Sequence, residues 1–320
     1  MIPTTMRAAA IDSFGGPDVL SIHTLPVPEP GAQDVLIALD AAGVGVWDAH
    51  LRSGTYAEGG ERFPLVLGID GAGRVAAVGA RVKRFAVGDF VYSYSYRNPK
   101  GGFFAEYVAV TEGRVAPVPA GLDEIRAGGA PAIGLTGLQG VDDTLEIRKG
   151  ESVIVHGASG NVGMMALQFA KRRGARVLAT ASGTDGVEFV RRLGADEAID
   201  GKRGDVVAAA KRFAPDGIDA VVAFVGGKEL TRCLDTLRKG GRVAYPNGVE
   251  PEPRKRRGIR IKSYDAETGR RELERLNRAI EESQAEIPIA EVFSLEDARK
   301  AVERVERGHV LGRLVLRLAR

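Results

Sequence analysis

Seven residues, Gly157-Ala158-Ser159-Gly160-Asn161-Val162-Gly163, stand directly after the apolar run SVIVH and directly before a stretch of helical periodicity. Glycines at such a junction let the backbone approach a pyrophosphate, whose charge is favoured at the N-terminus of the helix that follows. Val162, Met165, Ala166, Phe169 and Ala170 share one face of that helix, and a second apolar run occupies residues 175–180. The spacing is G-x-x-G-x-x-G rather than the commoner G-x-G-x-x-G, so the flanking strand, helix and second strand carry the reading. The alternative is a tight strand-to-helix turn with no ligand.

Binders of NAD place an acid at the end of the second strand, where it takes the ribose hydroxyls. Here that end reads Thr180-Ala181-Ser182-Gly183. A small polar end leaves room for a 2′-phosphate, so NADPH is expected in preference to NADH, with Ser182 beside it. Asp185, a few residues on, points the other way.

The elements that must hold this loop follow from the rhythm of the chain. From Ser152 onward, apolar runs alternate with helical stretches: SVIVH, ARVLAT, DEAID, DAVVAFV and GRVAYP, each followed by turn residues. That alternation predicts a parallel sheet with covering helices, and the all-apolar interiors fit strands buried on both faces. Residues 1–120 instead show short apolar runs at 34–39, 73–78, 90–92 and 107–110, punctuated by prolines and glycine pairs, which suit a small irregular barrel. Residues 249–262 interrupt the alternation with a basic run. Beyond them Leu273, Leu276 and Ile280 mark a helical face. Ser294 and Asp297 have capping-box spacing, ahead of a helix ending at Gly308 and a last apolar strand.

A chain of 320 residues is long for one core, so two domains are expected. Lys+Arg 45 against Asp+Glu 42 leaves a net charge of +3 with signs interleaved, so nucleic acid is not an implied partner. The basic run lacks interleaved aromatics and reads as a solvated segment. The single cysteine, Cys233, excludes a disulfide framework and a four-cysteine zinc site. No run of 18 apolar residues offers a membrane span, and the N-terminus has no secretory pattern, so a cytoplasmic protein is expected. No G-x-S-x-G is present, which leaves hydrolase chemistry unsupported.

The chain resembles the zinc-independent medium-chain dehydrogenase/reductases, in particular quinone oxidoreductases of the zeta-crystallin type. The resemblance runs through MRAAAIDSFGGPDVLSI, AAGVGVWDAHLRSGTY, FPLVLGIDGAGRVAAVGARVKRFAVGDFVY, GGFFAEYVAV, GLTGLQGV, the glycine loop, VRRLGADEAID, LRKGGRV and FSLEDARKAVERVERGHVLGRLVL. It implies an α/β protein with a GroES-like β-barrel catalytic domain over residues 1–120, completed by 285–320. A Rossmann domain with a doubly wound parallel sheet, residues 121–284, would lie between, with the active site in the cleft. Thr136 would lie near the nicotinamide, and Asp48, Arg52 and Tyr56 on the substrate side. Val225, Gly226, Asn247 and Gly248 would line the cofactor, and a strand after Ile259 and Ile261 would join two sheets in a homodimer.

Zinc-dependent relatives carry a cysteine, a histidine and a further cysteine or acid at three positions. The matching stretches here hold Gly45, Ile69 and APAIGLTG without a thiol, so no catalytic zinc is expected. His23, His50, His156 and His309 are expected at the surface or in packing, and Asp70 as a structural acid held by backbone donors. Three departures from the family pattern stand out. Gly45 occupies the place of a usual asparagine. Gly186 and Gly201 occupy those of a lysine and a tyrosine that serve the 2′-phosphate, leaving the adjacent Lys202 and Arg203 to supply charge or to be a solvated pair.

Without zinc, a donor must steady the charge that develops on a carbonyl oxygen as hydride arrives, and a phenol can do so. Tyr56 is the first candidate; at least two of the alternating Tyr92, Tyr94 and Tyr96 are expected to pack on the barrel edge. The expected activity is NADPH-dependent hydride transfer to a quinone or conjugated carbonyl. The alternatives are an alkenal or enoyl reductase on the same scaffold and a non-catalytic NADPH-binding sensor, the latter kept open by Gly45.

Overall fold

The apolar runs of the N-terminal part become strands in the computed structural model, which describes residues 1–57 and 59–318. They are β1 (Thr5–Ile11), β2 (Leu20–Pro26), β3 (Asp34–Val44), β4 (Leu65–Val66), β5 (Asp70–Val78), β6 (Phe90–Tyr94), β7 (Tyr107–Thr111) and β8 (Val115–Pro117), with helices α1 (Val46–Ser53) and α2 (Glu124–Gly129) among them. Next come α3 (Pro131–Gln139), β9 (Ser152–His156), α4 (Asn161–Arg172), β10 (Arg176–Ala181), α5 (Gly183–Arg192), β11 (Glu197–Asp200) and α6 (Val206–Phe213). β12 (Ile218–Ala223), α7 (Lys228–Leu234), β13 (Leu237–Pro246), β14 (Arg260–Tyr264) and α8 (Arg270–Ser283) follow. β15 (Ile289–Ser294), α9 (Ala298–Glu306) and β16 (Arg313–Arg317) close the chain.

Two compact units result. The β unit holds residues 1–132, 268–277 and those from 287 onward; the parallel-sheet unit holds 133–267 and 278–286. In the β unit, β15-β16-β3-β5-β6-β8 form a sheet in that order, with β7 also on β3, while β2-β1-β4 form a second. β16 lies antiparallel to β3, Leu314 opposite Val44, so the end of the chain completes the sheet begun near its start. The core gathers Ile11, Ile37, Phe103, Phe104, Leu314 and the inward face of α9. Each fully buried aromatic or leucine there contributes about 1.5–3 kcal/mol.

The parallel-sheet unit orders its strands β11-β10-β9-β12-β13-β14, every pair parallel. The chain order is thus 3-2-1-4-5-6, the doubly wound arrangement whose direction of winding reverses between β9 and β12. β9 is buried throughout, and β10 and β12 nearly so, as strands covered on both faces must be. The basic segment ends in β14, which pairs in parallel with β13 (Val243 opposite Ile261). Ile259 and Ile261, expected at an interface, pack against this unit's own core.

Candidate functional site

The glycine loop sits where β9 ends, at the reversal point of the sheet. Gly157 adopts φ +78°, a left-handed conformation that glycine tolerates best. Its N–H donates to the Thr180 hydroxyl at 3.2 Å, and the Ala158 N–H to the Thr180 carbonyl at 2.9 Å, so the end of β10 anchors the turn. A Cβ on Gly163 would lie 2.2 Å from the Gly157 carbonyl oxygen; glycine is what lets α4 close onto the loop. A Cβ on Gly160 would meet only that same oxygen, at 3.3 Å. Gly160 caps α4, and the N–H groups of Asn161, Val162 and Gly163 have no carbonyl one turn back within the helix. Ser159 is buried, and the Asn161 Oδ1 is buried without a partner among the described residues. Close backbone, open N–H groups and an orphaned polar atom fit a pyrophosphate.

The end of β10 carries Ala181 and then Ser182, which caps α5. Asp185 lies inside the first turn of α5 and bends its carboxylate back to the Gly186 N–H at 2.9 Å. Lys202 and Arg203 are exposed on the next loop, which the Gly201 N–H ties to the Ala181 carbonyl at 2.8 Å. Their charges therefore stand beside the end of β10. A carboxylate that sequence reasoning missed stands there too. Asp200 accepts from the N–H groups of Lys202 (2.9 Å), Arg203 (3.2 Å) and Gly183 (3.3 Å). Partial burial works to raise its pKa, but these three donors and the nearby Arg203 charge hold it below the usual carboxylate range.

Val225, just after β12, exposes its side chain and lies against Gly157, where a Cβ would be 2.9 Å from its Cγ2. Gly226 has the Pro251 and Glu250 carbonyl oxygens 2.4 and 2.5 Å from any Cβ it might carry. The Asn247 amide donates to Asp265 at 2.7 Å, and Gly248 turns with φ +89°. Thr136, on α3, gives its carbonyl to the Tyr264 hydroxyl at 2.8 Å. Loop, Val225, Gly226, Asn247 and Gly248 share the C-terminal side of the sheet.

His156 was expected as a packing residue and is one. Burial pushes its imidazole down to about 4, so it is neutral near pH 7. Its Nδ1 is hydrogen-bonded to the Thr180 hydroxyl at 2.8 Å and lies 3.6 Å from the Cys233 sulfur, whose thiol burial pushes up to about 12. The cluster fixes the strand end beneath the glycine loop.

In the β unit, α1 carries the three residues expected near the substrate, and it turns two of them inward. Asp48 is fully buried; its carboxylate accepts from the Gly45 N–H at 2.7 Å and caps the helix. Burial pushes its pKa up to about 7, against the pull of that N–H and of Arg313. Arg52, 4% exposed, forms a two-pronged pair with Glu306 on α9 (2.9 Å each) and donates to the Gly15 carbonyl. Asp48 and Arg52 therefore hold the helix rather than face a ligand. Tyr56 is different: half-buried, past the left-handed Gly54 that ends α1, its hydroxyl lies 3.0 Å from the His50 Nδ1. His50, expected to be a packing or surface residue, is thus partnered with the candidate donor. Of the other tyrosines, Tyr92 is fully buried and its hydroxyl donates to Asn277.

At Gly45 the sequence reading finds only a missing asparagine. The structure finds the space taken: a Cβ there would lie 2.2 Å from Cε2 and Cζ2 of Trp47. The Trp47 ring lies 5.1 Å from the guanidinium of Arg313, which is itself wholly buried. Arg313 donates to Asp70 (2.9 and 3.2 Å) and to the Val44 and Gly129 carbonyls, and Asp70 also accepts from the Ala132 N–H. Asp70 is thus a structural acid with a backbone donor, as read, and with an arginine that arrives from the far end of the chain. No grouping of three or more His, Cys, Asp or Glu suited to a metal is found among the described residues. No helix among them is long and apolar enough to cross a membrane.

Comparison with known proteins agrees with this architecture. Residues 31–120 match the family described as the alcohol dehydrogenase GroES-like domain, and residues 193–316 that described as zinc-binding dehydrogenase. The quinone oxidoreductase of Rattus norvegicus is 36% identical over 241 residues, covering 74% of this chain and 72% of its own. The chloroplastic NADPH-dependent alkenal/one oxidoreductase of Arabidopsis thaliana is 31% identical, covering 98% of this chain and 80% of its own. Among solved structures, an NAD-dependent alcohol dehydrogenase superposes with a TM-score of 0.91 at 32% identity, over 98% of this chain and all of the other.

Proposed function

The chain belongs to the quinone oxidoreductase family of the medium-chain dehydrogenase/reductases and is an oxidoreductase; from that premise we propose that it passes hydride from NADPH to a quinone or conjugated carbonyl, without zinc. The observation that carries the proposal is the glycine loop at the reversal point of a 3-2-1-4-5-6 sheet, with its open helix N-terminus. A bound nicotinamide nucleotide supplies the hydride. The chain's own residues do the rest. The loop and α4 seat the pyrophosphate. Val225, Gly226, Asn247, Gly248 and Thr136 line the nucleotide, and Ser182, Lys202 and Arg203 receive the 2′-phosphate. Gly160 leaves the loop backbone open to approach, and no acid stands at the end of β10 itself. The Asp200 charge is already drawn onto three N–H groups, which reduces its repulsion of a phosphate.

On the acceptor side Tyr56 is the proton donor, while Asp48 and Arg52 keep α1 in place. The zinc-free reading is supported by Gly45 and Ile69 at positions where a metal site needs a thiol and an imidazole. An alkenal is the second reading, favoured by the similarity to the Arabidopsis enzyme. We further propose a homodimer built through the outer edge of β14, the last strand of its sheet, and a cytoplasmic setting.

The test follows reduced-nicotinamide absorbance with small quinones and 2-alkenals, NADPH or NADH, and chelator throughout. Turnover of a quinone with NADPH is expected, and Lys202→Ala with Arg203→Ala should weaken NADPH about tenfold or more, roughly 1.4 kcal/mol, while sparing NADH. Binding of NADPH without turnover of any acceptor would refute the enzymatic reading and favour a sensor.

A further inference from the structure

His50 and Tyr56 form a pair that the functional reading does not use. The His50 Nδ1 lies 3.0 Å from the phenol oxygen, and the rings stand edge to face with centroids 4.9 Å apart. The geometry is built by the backbone. His50 occupies the last turn of α1, Gly54 turns the chain with φ +80°, and the Thr55 N–H donates to the His50 carbonyl at 3.0 Å, which folds Tyr56 back over the imidazole. Both side chains are half-buried, so the imidazole is neither sealed in the core nor dissolved in solvent. The charged residues of the same helix are otherwise engaged, Arg52 with Glu306 and Asp48 with the Gly45 N–H.

We infer that His50 is the proton relay behind Tyr56, a positioning residue that orients the phenol and reloads it. The inference rests on the functional reading above. Reduction of a quinone needs one hydride, which brings two electrons and one proton, and one further proton from solvent. When hydride has arrived, the Tyr56 O–H bond breaks and its proton bonds to the acceptor's oxyanion, the electron pair staying on the phenol oxygen. That phenolate takes the Nδ1 proton of a protonated His50, and the neutral imidazole regains a proton from water at Nε2. The order is downhill, because a phenolate is a stronger base than an imidazole, with reference pKa values of about 10 and about 6.5. A phenol reloaded only by water would have to wait for a far weaker acid.

The test compares wild type, His50→Ala, His50→Asn and Tyr56→Phe in the full chain, with p-benzoquinone and NADPH. His50→Ala should lower kcat about a hundredfold, in the range of general acid catalysis, with both KM values within about twofold. Free imidazole should restore a large part of the loss. His50→Asn can keep donating to the phenol, so it should preserve KM without restoring kcat. A second readout needs neither cofactor nor turnover: the His50 ring-proton resonance of the nucleotide-free protein, assigned by its loss in His50→Asn, should titrate with a different midpoint in Tyr56→Phe. An unchanged kcat in His50→Ala, or a loss that imidazole leaves alone and asparagine fully repairs, overturns the relay while the functional reading stands. A wild type that reduces no quinone overturns the functional reading, and an unshifted His50 midpoint then overturns the pairing itself.

Discussion

Placing asparagine at Gly45 separates two forces that act on the start of α1. Gly45 is the helix cap, and its backbone (φ −136°, ψ 170°) is extended, so any residue adopts it without strain. Capping preference alone then predicts that Gly45→Asn stabilises the β unit by a few tenths of a kcal/mol. Packing predicts the opposite. The new Cβ would stand 2.2 Å from two Trp47 ring carbons, against an ordinary separation of about 3.5–4.0 Å, so the ring must retreat by roughly 1.5 Å. Overfilling of that kind costs about 1–3 kcal/mol. Displacing the ring also loosens its contact with the Arg313 guanidinium, worth about 0.5–2 kcal/mol. We expect Gly45→Asn to destabilise the protein by about 2 kcal/mol net, or ~4–8 °C in the melting temperature of a unit of this size. In the Trp47→Ala background the same substitution should cost nothing or stabilise, a coupling of about 1–3 kcal/mol between the two positions. Urea unfolding followed by circular dichroism gives the cycle, and Trp47, the sole tryptophan, reports its own displacement by a shifted emission. A Gly45→Asn protein as stable as wild type, with unshifted emission, would refute the account of why this chain has glycine there.

Two further outcomes follow from the geometry. Gly160→Ala has room in the nucleotide-free fold, so it should leave unfolding within about 1 kcal/mol of wild type yet weaken dinucleotide binding tenfold or more. Thermal shift against NADPH and NADH measures both, and undiminished affinity would remove the pyrophosphate from this loop. Asp48, raised to about 7 by burial, binds its proton more tightly folded than unfolded, so its contribution to stability is complete below about pH 4 and is lost as pH rises to about 7. Asp48→Asn keeps an acceptor for the Gly45 N–H and should gain on wild type between pH 5 and pH 8. Parallel stability profiles would contradict a buried, proton-holding carboxyl.

The sequence by itself determined the parts whose signals are local. The alternation of apolar runs and helices specifies a parallel sheet, because strands covered on both faces must be apolar throughout and crossover helices must separate them. The glycine loop was legible for a similar reason: conformational freedom at Gly157 and close approach at Gly163 are needs that only glycine meets, and they leave a mark in residue type. Ser294 and the apolar face of α8 were legible from spacing alone, and Leu273, Leu276 and Ile280 are buried as that spacing requires. What tertiary structure decided are the pairings across distance. Nothing near Asp70 in sequence foretells Arg313, which reaches it only because β16 returns to pair with β3. Nothing in a run of residue types says that Trp47 folds over Gly45, that Asp200 comes from the third strand to the start of α5, or that His50 meets Tyr56 across a left-handed turn. The direction of α1 is the plainest case. Asp48 and Arg52 lie on the same short helix as His50, yet burial turns the first two into supports and leaves the third beside the phenol, because a side chain's chemistry is set by what surrounds it.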